Sequence, residues 1–74
     1  MVVFYDITFD EDWVYAIAED YGLKQRGWVK IHRRDEIAEY ELKTFNIMKA
    51  CSNLVVDVND GKIKQNSQKS YVWG

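Results

Sequence analysis

Residues 35–52, with the sequence DEIAEYELKTFNIMKACS, decide the fold, because they fit two different secondary structures. As one long helix, the stretch begins at Asp35, a suitable N-cap, although Glu41 then falls inside the apolar arc. The alternative is a strand over residues 36–42 followed by a short helix over residues 44–52. We prefer the long helix. Its apolar arc comprises Ile37, Ala38, Leu42, Phe45, Met48 and Cys51.

The residues before this stretch predict a strand, a helix and a second strand. Residues 2–9 are nearly all strand-favouring and predict a central strand that is buried on both faces. Residues 10–21 predict a helix that begins with acidic residues and ends before Gly22, at which we expect a left-handed C-cap. Residues 27–33 alternate in polarity and predict a strand. The outer face of that strand carries Trp28, Lys30 and His32.

The residues after this stretch predict a hairpin and a terminal strand. Residues 54–58 predict a strand, residues 59–61 (Asn-Asp-Gly) a tight turn, and residues 62–65 a returning strand. Residues 66–70 are a polar loop, and residues 71–73 are typical of a strand that either closes the edge of the sheet or lies free of it.

This order of elements, β-α-β-α-β-β, predicts one α+β domain over residues 1–74. We expect a mixed or antiparallel sheet of about four strands with two helices on one face. The alternative for residues 36–42 changes the order to β-α-β-β-α-β, which is the ferredoxin-like order.

The composition indicates a cytoplasmic protein without a cofactor. Cys51 is the only cysteine and His32 the only histidine, so the chain cannot form an internal disulfide and no metal site is expected. An unpaired cysteine fits a reducing compartment. No apolar stretch approaches the roughly 20 residues that a membrane span needs, so we expect no membrane partner.

Charge is segregated along the chain in a way that predicts a binding surface. Residues 1–23 carry six acidic residues and no Lys or Arg. On the predicted first helix, acids and aromatic side chains face solvent together, as in protein-binding hot spots, and would attract a basic partner surface. The candidate partner-binding residues are Asp12, Trp13, Tyr15, Glu19 and Asp20.

The basic segment over residues 26–34 supports an alternative, a nucleic-acid-binding protein or a metal-dependent nuclease that uses Asp6. Aromatic side chains stack on bases while Lys and Arg hold phosphates. We favour a protein partner over a nucleic acid, because the neighbouring acids would repel a phosphate backbone. The candidate nucleic-acid-binding residues are Arg26, Trp28, Lys30, His32, Arg33 and Arg34.

The hypothesis that follows is a non-enzymatic protein-binding module with no catalytic residue. Cys51 and His32 lie on different predicted elements, so their spacing gives no support for a nucleophile–base pair. A small acidic, aromatic-rich domain is similar to phage-encoded inhibitors of host or defence proteins. By that analogy it would act in the host cytoplasm and cover a site on a larger protein, such as a nucleic-acid-binding site. Homodimer formation is a further expectation for so small a chain.

Overall fold

The computed structural model describes residues 1–35, 37–42, 44–64 and 71–73. These residues form an antiparallel sheet of five strands and one helix. The strands lie in the order β4-β3-β2-β1-β5 across the sheet. In chain order the elements are β1 (Val2–Phe9), β2 (Trp13–Asp20), β3 (Gln25–His32), β4 (Ala38–Tyr40), α1 (Phe45–Asn59) and β5 (Tyr71–Trp73).

The core lies between α1 and one face of the sheet. The helix begins after Thr44, whose Oγ1 accepts a hydrogen bond from the Ile47 backbone N–H at 3.2 Å. It ends at Asp60, and Gly61 follows with a positive φ of 76°. Buried residues of α1 recur at helical spacing: Ile47, Ala50, Cys51, Leu54, Val55 and Val58. They face buried strand residues that include Phe4, Ile7, Val14, Ala16, Ala18, Val29 and Ile31.

A β-bulge in β1 keeps the acidic residue of that strand out of the core. Asp6 has a positive φ of 53°, and the pairing with β2 shifts between Tyr5 and Thr8. Phe4 before the bulge and Ile7 after it are both buried, although a regular strand would place residue 6 on the side of Phe4. The extra residue therefore brings Ile7 into the core and leaves Asp6 exposed.

The predicted helix over residues 10–21 is wrong, because this stretch forms a turn and the strand β2. Val14, Ile17, Ala18 and Tyr21 fit a helical arc, but the hydrophobic residues that are buried, Val14, Ala16 and Ala18, recur at the period of two of a strand. The strand is favoured over the helix because β2 pairs along its whole length with β3 and along most of its length with β1. Gly22 lies in the β2–β3 turn, where the left-handed residue is Lys24 with a φ of 54°.

The predicted long helix over residues 35–52 is also wrong in its first half. Residues 38–40 form β4, and α1 begins only at Phe45, which is closer to the alternative of a strand followed by a helix. The predicted strand over residues 54–58 lies inside α1, because Leu54, Val55 and Val58 continue the buried arc of the helix.

The predicted hairpin around residues 59–61 is absent from the described residues. Residues 59–61 end α1 instead of joining two strands, and residues 62–64 form no strand. Residues 65–70, which include the predicted polar loop, lie outside the described residues.

Three predicted strands are confirmed, namely those that correspond to β1, β3 and β5. The prediction that the first strand is buried on both faces is wrong, because Asp6 and Thr8 of β1 are exposed. The α+β class and an antiparallel sheet are confirmed as well, but the described chain has one helix rather than two. The ferredoxin-like order is not found, because β2 takes the place of its first helix. No helix in the described ranges is long and apolar enough to span a membrane.

Candidate functional site

The face of the sheet opposite α1, which we call the open face, carries a band of aromatic and charged side chains. No helix or strand among the described residues covers it. Trp28 is 46% exposed and Tyr15 is 37% exposed, which is high for large aromatic side chains. The open face comprises outward residues of β1, β2 and β3: Tyr5, Trp13, Tyr15, Ile17, Glu19, Arg26, Trp28, Lys30 and His32.

Residues from both hypotheses lie together on the open face, because β2 and β3 are adjacent and antiparallel. The strand register places Tyr15 opposite Lys30, and Glu19 opposite Arg26. The predicted acidic surface and the predicted basic surface are therefore one mixed surface. From the first set it holds Trp13, Tyr15 and Glu19, and from the second Arg26, Trp28, Lys30 and His32.

Two of the candidate residues, Asp20 and Arg33, stabilise the fold and do not lie on the open face. Asp20, which a helix would have left in solvent, is fully buried. Its Oδ1 accepts hydrogen bonds from the backbone N–H groups of Gly22 and Leu23, and Thr44 Oγ1 donates to its Oδ2 at 3.3 Å. Arg33 donates through Nε to Asn59 Oδ1 at 2.9 Å and thereby joins the end of β3 to the end of α1.

The remaining two candidates, Asp12 and Arg34, lie at the end of the sheet. Asp12 is in the β1–β2 turn, and its carboxylate is 3.9 Å from an Arg34 guanidinium nitrogen. Both side chains are exposed, so this ion pair contributes little to stability.

The cations of the open face are balanced by nearby acids and aromatic rings. Arg26 lies 3.9 Å from Glu19 and its guanidinium lies over the Tyr5 ring at 5.6 Å. The Lys30 ammonium lies 4.0 Å from Glu39 and 4.1 Å from the centre of the Trp13 ring. Arg26 and Lys30 therefore each have a carboxylate and an aromatic ring close to the positive charge.

A shallow depression of about 460 Å³ lies in the middle of the open face. Ile17 lies directly opposite Trp28 in the β2–β3 pair, and Tyr15 lies diagonally across from Trp28. The exposed Asp6 of the bulge lies on the β1 side. The residues that line the depression are Asp6, Tyr15, Ala16, Ile17, Trp28, Val29 and Lys30.

The acidic cluster near the start of β2 shapes a turn. Asp10 Oδ1 accepts the backbone N–H groups of Asp12 and Trp13, both at 2.8 Å, and these hydrogen bonds lower the pKa of Asp10. Asp10 thus closes the β1–β2 turn, whereas the sequence predicted that these acidic residues begin a helix. Among the described residues, no group of three His, Cys, Asp or Glu side chains could hold a metal ion.

Cys51 and His32 are on opposite sides of the sheet. Cys51 is buried on α1, and burial raises the pKa of its thiol to about 12. His32 lies on the open face, with its ring edge-on to Trp13 at a centroid distance of 4.8 Å. Its Nδ1 accepts the backbone N–H groups of Arg34 and Asp35. The geometry therefore contains no nucleophile–base pair between these two residues.

The sequence does not predict Tyr5 and Ile17 as site residues, and it predicts Asp6 only as the residue of a nuclease, whereas the structure places Asp6 at the depression and in no group of three metal-ligating side chains among the described residues. Alternation at a period of two in residues 13–20 could have placed Ile17 beside Tyr15 on one face. The role of Asp6 depends on the bulge, and no residue type in that stretch signals it.

Comparisons of the chain with known protein families, with curated proteins and with solved structures give no match.

Proposed function

We propose that the protein is a non-enzymatic binding module whose open face docks on a basic surface of another protein. The observation that carries this proposal is the exposure of Trp28 and Tyr15 on a sheet face that no described element covers. Trp and Tyr are the residues most enriched in interface hot spots. Ion pairs such as Arg26–Glu19 surround them and suit the polar rim of such an interface.

The charge arrangement favours a protein over a nucleic acid as the partner. A phosphate backbone requires cations that can replace its counterions. On the open face Arg26 and Lys30 each already have a carboxylate within 4.0 Å. Asp6 adds a carboxylate that forms no ion pair with any described residue. Glu39 of β4, which pairs with Lys30, and Asp6 of the bulge bring the carboxylates to three, Glu19 included, against the two cations Arg26 and Lys30, and this acidic balance complements a basic protein surface.

In its more specific form, the proposal is that the module acts as an inhibitor of its partner. A basic surface that the open face covers would commonly be one that a larger protein uses to bind nucleic acid. By occupying that surface, the module would exclude the nucleic acid without any chemistry of its own. The analogy with small phage-encoded inhibitors of host or defence proteins supports this form.

The test compares two truncations on opposite faces. Trp28→Ala removes the most exposed aromatic side chain of the open face, whereas Met48→Ala removes a side chain that is 58% exposed on α1. We expect a purified candidate partner, first captured from lysate, to bind the wild-type protein and Met48→Ala but to lose at least about tenfold in affinity for Trp28→Ala. Circular dichroism and thermal melting establish that both variants fold.

Two results would overturn the proposal. The first is equal affinity of the partner for Trp28→Ala and for the wild-type protein. The second is a gel shift of single- or double-stranded oligonucleotides that falls steeply with salt and disappears in Lys30→Ala, which would establish the nucleic-acid alternative. For the inhibitor form, the wild-type protein must also displace nucleic acid from the partner, and Trp28→Ala must fail to do so.

A further inference from the structure

We infer that the depression on the open face is a receptor for a single arginine side chain of the partner. This inference rests on the proposed function and deepens it, because it names the group on the partner that the face recognises. Two observations carry it: an aromatic wall, and an exposed carboxylate at the rim that forms no ion pair with any described residue.

The aromatic wall is formed by Trp28 and Tyr15 around the apolar floor of Ile17. A guanidinium is planar and weakly hydrated, so it stacks on aromatic rings more readily than an ammonium does. The open face already uses this interaction within the chain, since Arg26 lies over Tyr5 and Lys30 over Trp13. Of the two rings that line the depression, Tyr15 has the Lys30 ammonium 6.0 Å from its centre, whereas the 46% exposed Trp28 ring has no cation of the described residues over it.

The carboxylate of Asp6 supplies the charge that fixes the end of the arginine. Asp6 is exposed, lines the depression and makes no ion pair or side-chain hydrogen bond with the described residues. A carboxylate can accept two parallel N–H donors of a guanidinium, which gives both direction and specificity. An arginine that stacks on Trp28 could reach across the floor toward this acceptor.

The cation that already lines the depression, Lys30, does not compete for Asp6. Its ammonium lies over the Trp13 ring at 4.1 Å and near Glu39 at 4.0 Å, both outside the depression, and it is 6.0 Å from the centre of the Tyr15 ring. Lys30 thus shares the Tyr15 ring but forms its ion pair with Glu39 rather than with Asp6. The Trp28 ring and the Asp6 carboxylate have no cation from the described residues.

The backbone conformation at Asp6 determines which substitution can test its charge. Asp6 has a left-handed φ of 53°, which aspartate and asparagine adopt more readily than most residues, and Lys24 in the β2–β3 turn has a similar φ of 54°. Asparagine tolerates this conformation as aspartate does. Asparagine therefore offers a substitution that preserves the shape of the bulge and removes only the charge.

The experiment titrates the ¹⁵N-labelled protein with a short peptide, N-acetyl-Gly-Arg-Gly-amide, and with the same peptide carrying citrulline, which is the neutral isostere of arginine. We expect the arginine peptide to shift the indole N–H resonance of Trp28 and the amide of Ile17, and the citrulline peptide to cause much smaller shifts. The Trp13 indole, which lies outside the depression and under Lys30, serves as the internal reference.

The charge of Asp6 is tested by two variants that change the net charge equally. Asp6→Asn should weaken binding of the arginine peptide about threefold, as expected for an exposed ion pair. Asp12→Asn, in the β1–β2 turn and outside the depression, should leave the affinity unchanged. Added salt should reduce the difference between the wild-type protein and Asp6→Asn.

The inference is overturned if the arginine peptide leaves the Trp28 resonance unchanged, if citrulline acts equally, or if Asp6→Asn and Asp12→Asn have the same effect. These failures are separate from a failure of the proposed function. If the partner still depends on Trp28 but binds Asp6→Asn as tightly as the wild type, the face is an interface without an arginine receptor. If the partner is indifferent to Trp28, the interface itself is rejected whatever the peptide does.

Discussion

At the residue scale, Asp20 and Glu19 show how one step along β2 separates a structural role from a surface role. Asp20 is buried and joins the β2–β3 turn to the start of α1, because it accepts N–H groups from the turn and the hydroxyl of Thr44. Glu19 lies on the open face beside Arg26. A helical interpretation exposes both side chains, so the contrast between them depends on the strand.

The two residues therefore give a direct test of the side-chain directions in β2. Asp20→Ala should lower the free energy of unfolding by about 2–3 kcal/mol, because it leaves buried donors without an acceptor. Glu19→Ala should change it by no more than about 0.5 kcal/mol, since an exposed ion pair contributes little. Urea denaturation of both variants provides the measurement. Equal losses of unfolding free energy in the two variants would contradict the burial of Asp20.

At the element scale, β2 and α1 explain which parts of the fold were predictable. The strands β1 and β5 follow from local composition, since most of their residues favour strands, and β3 follows from the alternation in polarity of residues 27–33. Residues 13–20 satisfy both a helical and a strand period, and only pairing with β1 and β3 decides between them. Residues 54–58 are strand-favouring in isolation, but as part of α1 they complete a buried helical arc.

The attachment of β5 to the rest of the molecule depends on Tyr71. Its ring packs near Phe4, with 6.1 Å between centroids, and its hydroxyl donates to Asp57 Oδ2 on α1 at 2.5 Å. Burial, followed by the Asp57 interaction, raises the pKa of Tyr71 from 10.0 to about 12. The folded state therefore favours the protonated phenol, and this tyrosine links the edge strand to the helix.

This shift predicts how the stability of the protein depends on pH. Since the pKa is higher in the folded state, the stabilisation is fully present below pH 10.0 and is lost as the pH rises toward about 12. Tyr71→Phe should cost about 1 kcal/mol of unfolding free energy at neutral pH. Its difference from the wild-type protein should shrink over that alkaline range.

Denaturant titrations at several pH values measure this difference. Tyr40→Phe is the control, because the Tyr40 hydroxyl has no hydrogen bond to a described residue. A constant difference between Tyr71→Phe and the wild-type protein from neutral to alkaline pH would contradict the assignment.

At the scale of the whole molecule, the sheet places the acidic and the basic stretches of the sequence on one face. The acidic stretch over residues 1–23 and the basic stretch over residues 24–34 predict two rival surfaces. Pairing of β2 with β3 makes them one face, on which most charges are balanced and the aromatic rings are exposed. The candidate residue types could be named from sequence, but their shared surface and the bulge at Asp6 could not, since both depend on strand register.

The most direct test of this account is the dissociation constant of the purified partner for three proteins: wild type, Trp28→Ala on the open face and Met48→Ala on the helix side. The account predicts at least about tenfold weaker binding for Trp28→Ala and a change within about twofold for Met48→Ala. Weaker binding only for Met48→Ala, or equal binding by all three, would contradict the claim that the open face is the interface.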